Sequence, residues 1–204
     1  MRKEAGRPRP PGNPDIARFD KWAETYDRSL MQRFFFEPIH SRILSLLDAQ
    51  LGPNAHPDSV IDVGCGTGRL LRAAALRWPT ARLLGVDPAQ HMVSEAQRLS
   101  SNATFTVSLA ESLPFADGAA DVILTSMSFH HWADQERGVR EVARVLRSGG
   151  FFCLADHAFV PAKLLGERVK SRKEIRALMA GAGLIIRRQL ATVPFILYTL
   201  AQKL

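Results

Sequence analysis

From residue 59 onward the chain alternates short β-branched apolar runs with longer stretches whose apolar residues recur every three or four positions. Val60, Ile61 and Val63 predict a buried strand over 59–63, and a helical pattern follows over 68–77. Pro79 separates that helix from a strand over 82–86, which leads to a helix over 89–99 and a strand over 103–107. The next connection, Leu113-Pro114-Phe115-Ala116-Asp117-Gly118, reads as a loop rather than a helix. A strand over 121–125, a helix over 134–146 capped by Asp134 and a strand over 150–155 complete the series. Beyond a basic linker lie a helix over 172–181, Gly183 as its stop, and two β-rich runs, Leu184–Ala191 and Phe195–Leu200. The expected fold class is therefore α/β: a doubly wound, seven-stranded sheet, mostly parallel, with an antiparallel hairpin at one C-terminal edge.

The residues before 59 follow another pattern. Residues 1–14 are rich in proline and arginine and predict a flexible arm. Asp15 can cap a helix that carries Ile16, Phe19, Trp22, Ala23 and Tyr26 on one side. A second helix, over about 30–50, presents Phe35, Ile39, Ile43, Leu46 and Leu47 before Gly52-Pro53-Asn54 breaks it. The expected organisation is one domain over 15–204, with a helical cap at 15–52 on a core at 58–204. At 204 residues the chain is long enough for one sizeable core.

Charge is unevenly distributed. The formal net charge is +7, and residues 163–204 hold nine basic residues against two acidic ones. A nucleic-acid surface is one reading of Lys163, Arg168, Lys170, Arg172, Lys173 and Arg176. A solvated helix face is favoured, because no aromatic residue interleaves the cluster as a base-stacking platform would. The two cysteines, Cys65 and Cys153, sit in separate strand contexts, so no disulfide framework is expected, and a reducing, cytoplasmic location fits. The apolar run near 193–201 is too short to span a bilayer, which needs roughly 20 residues. Oligomeric state is left open.

Candidate chemistry gathers where the strands end, because ligands of open α/β sheets sit beyond the carboxyl ends of the strands. The first strand ends in Asp62-Val63-Gly64-Cys65-Gly66-Thr67-Gly68. Glycines there let backbone N–H groups approach a nucleotide-like ligand. A dinucleotide fingerprint would need glycine at 69, where Arg69 stands. The second strand ends in Asp87, 19 residues after Gly68, a spacing that suits a carboxylate accepting ribose hydroxyls or, alternatively, capping the helix after Pro88. Met92 is positioned to cover an adenine face or to pack in the core. The third strand leads to Ala110-Glu111, the fourth to Thr125-Ser126 and then His130-His131.

This ordered set resembles the cofactor loop and later motifs of class I S-adenosylmethionine methyltransferases. It is closest to the small Rossmann-like branch, methyltransferase type 11, that includes quinone-biosynthesis enzymes. The matching segments are Val60 to Gly68, Asp87, Ala110-Glu111-Ser112-Leu113-Pro114-Phe115, His130-His131 and Arg144-Val145-Leu146-Arg147-Ser148-Gly149-Gly150. The opening Phe19-Asp20-Lys21-Trp22-Ala23-Glu24-Thr25-Tyr26-Asp27 is similar to that branch's first helix. The resemblance implies S-adenosylmethionine as methyl donor, with Gly64, Cys65, Gly66 and Gly68 facing its methionyl part and Asp62 near its amino group. It further implies Asp87 and Pro88 at the ribose, Met92, Ala110 and Glu111 at the adenine, Thr125 and Ser126 at the fourth strand end, and Tyr26 closing over the whole. One departure is Leu109, where the family often has an acid that bonds the adenine amino group.

The expected acceptor is a small molecule offering an O, N or C nucleophile for in-line displacement, with an apolar wall from Phe34, Phe35, Phe36 and Trp132. A base is needed only if the acceptor is protonated, and His130 and His131 are the candidates; Tyr26 can orient a hydroxyl. His157 is a weaker candidate. No metal is expected, because His130, His131, His157 and Cys153 fit no usual zinc spacing. RNA or protein methylation, a non-catalytic binding protein and a nicotinamide dehydrogenase remain as alternatives. The chain lacks the Asn/Asp-Pro-Pro-aromatic tetrapeptide that similar base N-methyltransferases use for flipped amino groups, which disfavours nucleic acid.

Overall fold

A computed structural model describes residues 14–26, 30–52, 56–157, 168–192 and 195–204. The expected arm at 1–14, except Pro14, lies outside the described residues, as do Pro53 and Asn54 of the break and most of the segment from Ala158 to Ser171; the side chains of Asp15 and Tyr26 are likewise not described.

Two helices, α1 (Pro14–Tyr26) and α2 (Leu30–Leu51), precede a β/α series. It runs β1 (Ser59–Val63), α3 (Arg69–Arg77), β2 (Arg82–Asp87), α4 (Gln90–Leu99), β3 (Ala103–Val107) and β4 (Ala120–Ser126). A 3₁₀ turn at Phe129–His131 leads to α5 (Gln135–Val145), β5 (Leu146–His157), α6 (Arg172–Gly181), β6 (Leu184–Thr192) and β7 (Ile196–Lys203). The seven strands form one sheet in the order β3-β2-β1-β4-β5-β7-β6. The first five are parallel, and β7 enters antiparallel between β5 and β6. The order in which strands are added reverses at β1, which has β2 on one side and β4 on the other, so the switch point of the sheet lies at the end of β1.

The strands that read as continuous apolar runs are those buried on both faces. All five residues of β1 are buried, and β4 is buried along all but its last residue. On one face α2 and α3 pack Ile43, Leu47, Leu71 and Trp78 against Val60, Val122 and Leu124. On the other, α5 and α6 bring Val139, Val142, Ile175 and Met179 to Ile61, Ile123 and Phe152. α5 starts where Asp134 accepts the Arg137 N–H, and α6 where Ser171 and Glu174 form a reciprocal capping box.

One boundary differs from the sequence reading. β5 begins at Leu146, not near 150, because Leu146 already pairs with Ala120 and the chain then bulges through Arg147 to Gly150 before pairing resumes at Phe151. Gly149 accommodates the bulge at φ +79°. The basic residues of the C-terminal part are largely engaged locally: Lys170 with Glu174, Arg176 with Gln189, and Arg187 with Gln202.

Candidate functional site

An open cleft of about 1090 Å³, mouth included, lies over the ends of β1, β2 and β4 under α1 and α2.

The floor is built at the switch point. Gly64 and Cys65 donate their N–H groups to Val86 O at 2.8 and 3.0 Å, which folds the glycine loop back over the end of β2. Gly64 has φ +75°, and a Cβ there would stand 1.7 Å from Ser128 Oγ, so only glycine fits. Gly66 (φ +52°) donates its N–H to Asp87 Oδ2 at 2.9 Å, and Ala89 N–H donates to Asp87 Oδ1 at 2.9 Å. Asp87 thus joins the loop to the entry of α4, and both the ribose and the capping expectation fall on one residue that lines the cleft.

Asp62 stands out electrostatically. It sits inside β1, only 2% exposed, and its Oδ1 has no hydrogen-bond partner among the described residues. Burial first, and the Asp87 charge second, push its carboxyl up to about 8. Asp87 is pushed up to about 6 by burial, opposed by its two backbone N–H donors. A buried carboxylate with an open lone pair is costly unless a cation meets it. The α-ammonium and ribose of S-adenosylmethionine match this pair of carboxyls, and the apolar Met92, Leu109 and Ala110 that also line the cleft match an adenine ring. Leu109 is 46% exposed and contributes no polar group from its side chain. Glu111 lines the cleft, but its Oε1 already accepts the Asp134 N–H at 2.9 Å and so supports the start of α5.

The roof comes from α1. Ala23 packs on Ala89 and Met92, with Ile16 and Phe19 beside them, and Asp20 Oδ1 accepts the His91 N–H at 2.8 Å. α1 therefore rests on α4 directly above Asp87 and Pro88.

The far end of the cleft is formed where β4 ends. Ser126 lines it with a buried Oγ that has no partner among the described residues, and Met127 follows at φ +53°, a strained conformation for a non-glycine residue. The 3₁₀ turn then splits the two histidines. His131 lines the cleft, its ring 5.0 Å edge-on from Phe19. His130 does not line it. Its N–H donates to Asp156 Oδ2 at 2.8 Å, its Nδ1 lies 2.7 Å from Asp156 Oδ1, and its ring stacks obliquely on His131 at 3.9 Å. Phe36 and Trp132 line the cleft as expected, whereas Phe34 is exposed and Phe35 packs on the core.

Gly64, Cys65, Gly66, Asp62, Asp87, Pro88, Met92, Ala110, Glu111 and Ser126 thus converge on one cleft. Two expected cofactor residues lie behind its wall instead. Thr125 is fully buried and donates its hydroxyl to Val63 O, and Gly68 (φ +78°) caps α3 against the Phe105 ring. The sequence reading missed Asp156, which follows the strand-end rule at β5, and His40 of α2, one turn after Phe36 in the same wall. Cys153 is buried in the core, its thiol pushed up to about 12 by burial, and belongs to no site.

Comparison with known proteins gives the same direction. Residues 61–154 match the family described as "Methyltransferase domain". The chain is 31% identical over 187 residues to a malonyl-[acyl-carrier protein] O-methyltransferase of Geobacter sulfurreducens, covering 81% of this chain and 67% of that one. It is 36% identical over 122 residues to an uncharacterized methyltransferase, YcgJ, of Bacillus subtilis, covering 57% and 47%. The chain spans about half the length of several curated relatives it matches. A crystal structure of an S-adenosylmethionine-dependent methyltransferase from Aquifex aeolicus shares the fold, with a TM-score of 0.73 at 18% identity over 93% of this chain and 99% of that one.

Proposed function

The chain belongs to the class I S-adenosylmethionine-dependent methyltransferases, and we propose that it moves a methyl group to an O, N or C nucleophile of a small molecule by in-line displacement. The observation that carries the reading is the buried Asp62 carboxyl, whose Oδ1 has no hydrogen-bond partner among the described residues, beside a glycine loop tied to Asp87. S-adenosylmethionine supplies an activated methyl on a sulfonium, so the protein's part is to position the acceptor and exclude water.

In this reading Asp62 meets the ammonium, the loop at Gly64–Gly66 flanks the methionyl part, Asp87 takes the ribose, and Met92, Leu109 and Ala110 sandwich the base. Tyr26 is assigned to the cofactor by the family resemblance alone. The acceptor enters between α2 and the 3₁₀ turn, against Phe36, His40 and Trp132. Where the acceptor carries a proton, His131 receives it, and His130, held on Asp156, sets the His131 ring. The acting unit is residues 15–204, with the cap at 15–52. The two free cysteines support a reducing, cytoplasmic setting, and among the described residues no helix is long and apolar enough to cross a membrane.

Calorimetric titration tests the donor. S-adenosylmethionine and S-adenosylhomocysteine are expected to bind and NAD is not; NAD binding without S-adenosylmethionine binding would overturn the reading. The histidine roles are tested by a methyl-transfer screen over phenols, quinols and amines. For a protic acceptor, His131→Ala is expected to lower kcat by about 10²–10⁴, the usual range for a general base, and His130→Ala by less. Wild-type rates in both variants would remove histidine base catalysis.

A further inference from the structure

At the same end of the sheet, but behind the cleft wall, His130 and Asp156 meet a third side chain, His157, to which methyl transfer gives no part. The 3₁₀ turn after β4 brings His130 and the end of β5 brings Asp156 and His157, and one ligand atom of each lies within 4.8 Å of the other two. We propose that His130, Asp156 and His157 form a binding site for a single divalent ion of borderline character, zinc being the best match.

The donor set argues for that class. Two imidazoles and one carboxylate suit zinc and its neighbours cobalt and nickel, whereas calcium and magnesium take oxygen ligands. The charge balance argues for a cation. Asp156 is 2% exposed, and its carboxylate meets the His130 and His157 backbone N–H groups and the His130 ring. A dication beside a buried carboxylate offsets the cost of burying its charge.

The backbone already orients the carboxylate. Asp156 Oδ2 is held by the His130 N–H and Oδ1 by the His157 N–H, an outer shell of the kind that fixes metal ligands. The 2.7 Å approach of His130 Nδ1 to Oδ1 places two donors on one point, with a proton where the ion would sit. On binding to neutral His130, the ion takes Nδ1 and the proton moves to Nε2. No zinc spacing is visible in the sequence, because the ligands come from two strand ends 26 residues apart and the carboxylate is one of them. With the ion in place His130 is a ligand, and its stack on His131 carries that rigidity to the cleft wall.

The test uses the full chain without an affinity tag, dialysed against a chelator. Zn²⁺ is titrated by calorimetry and Co²⁺ by visible absorption. One equivalent is expected, with affinity of micromolar or better. His157→Ala and Asp156→Asn are each expected to weaken it at least tenfold, while His91→Ala, an exposed histidine on α4, leaves it unchanged. Circular dichroism verifies folding, and if Asp156→Asn fails to fold, the half-buried His157 carries the test alone. Absence of saturable binding, or affinity unaffected by His157→Ala, overturns the proposal. S-adenosylmethionine is titrated into the same sample, so loss of the metal site and loss of the donor site are read separately.

Discussion

An Asp87→Ala substitution is expected to lower S-adenosylmethionine affinity at least a hundredfold, read by calorimetry. Asp87 anchors the Gly66 N–H and the Ala89 N–H while its carboxyl lines the cleft. A hydrogen bond to a charged group contributes about 1.5–3 kcal/mol, and a buried donor left without a partner costs about 1–3 kcal/mol. Losing the ribose contact alone, together with a loosened glycine loop, exceeds the ~2.7 kcal/mol that a hundredfold represents. Asp87→Asn separates the two roles. Its one carbonyl oxygen satisfies a single backbone N–H, and its amide nitrogen meets the other N–H as a donor facing a donor. The asparagine variant is therefore expected to fold with a lower melting temperature and to bind more weakly than wild type but better than alanine. Unchanged affinity in both variants would remove Asp87 from the donor site.

The second large effect is a pH dependence of donor binding. With the Asp62 carboxyl pushed up to about 8, the ligand-free protein carries it protonated at pH 7. The donor's ammonium requires it ionised, so binding releases a proton and affinity falls as pH drops below 8. Between pH 8 and pH 6 the ionised fraction falls roughly fiftyfold, and affinity falls with it. Below pH 6 the slope steepens as Asp87, at about 6, also takes a proton. Above pH 8 the donor's own α-amino group deprotonates and the profile turns over. Linkage fixes the sign for stability as well. Both carboxyls hold protons more tightly in the folded state than in the unfolded one, where aspartate titrates near 3.8. The ligand-free fold therefore loses stability as pH rises from about 4 to about 8, and saturating donor relieves the loss. Asp62→Asn is expected to flatten the binding profile between pH 6 and 8 and to bind weakly throughout. A profile as steep as wild type in that variant would assign the proton elsewhere.

Most of the sheet, and the gathering of strand-end residues on one cleft, could be read from the chain because both follow local rules. A β-branched run followed by glycines marks a strand end, and the strand-end rule then locates Asp87, Ala110 and Ser126. The rule gives an address along the strand but no side. Thr125 and Ser126 are neighbours, yet alternation sends one hydroxyl to Val63 O behind the wall and leaves the other open to the cleft. His130 and His131 pose the same problem in a 3₁₀ turn, where successive residues diverge by about a third of a turn. Asp156 escaped notice because its role depends on a partner 26 residues away, and no spacing in the chain encodes that pairing. The start of β5 was hidden by Arg147-Ser148-Gly149-Gly150, which reads as a turn and is instead a bulge inside the strand.

The missing Cβ of Gly64 has a consequence for how such a protein diversifies. Ser128 packs into the space that Cβ would fill, so in the proposed reading the donor loop and the acceptor wall share one partition. Its thickness is set by a glycine on one side and a small hydroxyl on the other, and the Ser128 hydroxyl also receives the Trp132 indole N–H at 3.2 Å. Enlarging residue 128 to reshape the acceptor chamber pushes the partition into the donor chamber and sacrifices the methyl source along with the old substrate. Freedom to change acceptors therefore resides in Phe36, His40 and the rim of α2, which line the chamber without touching that partition.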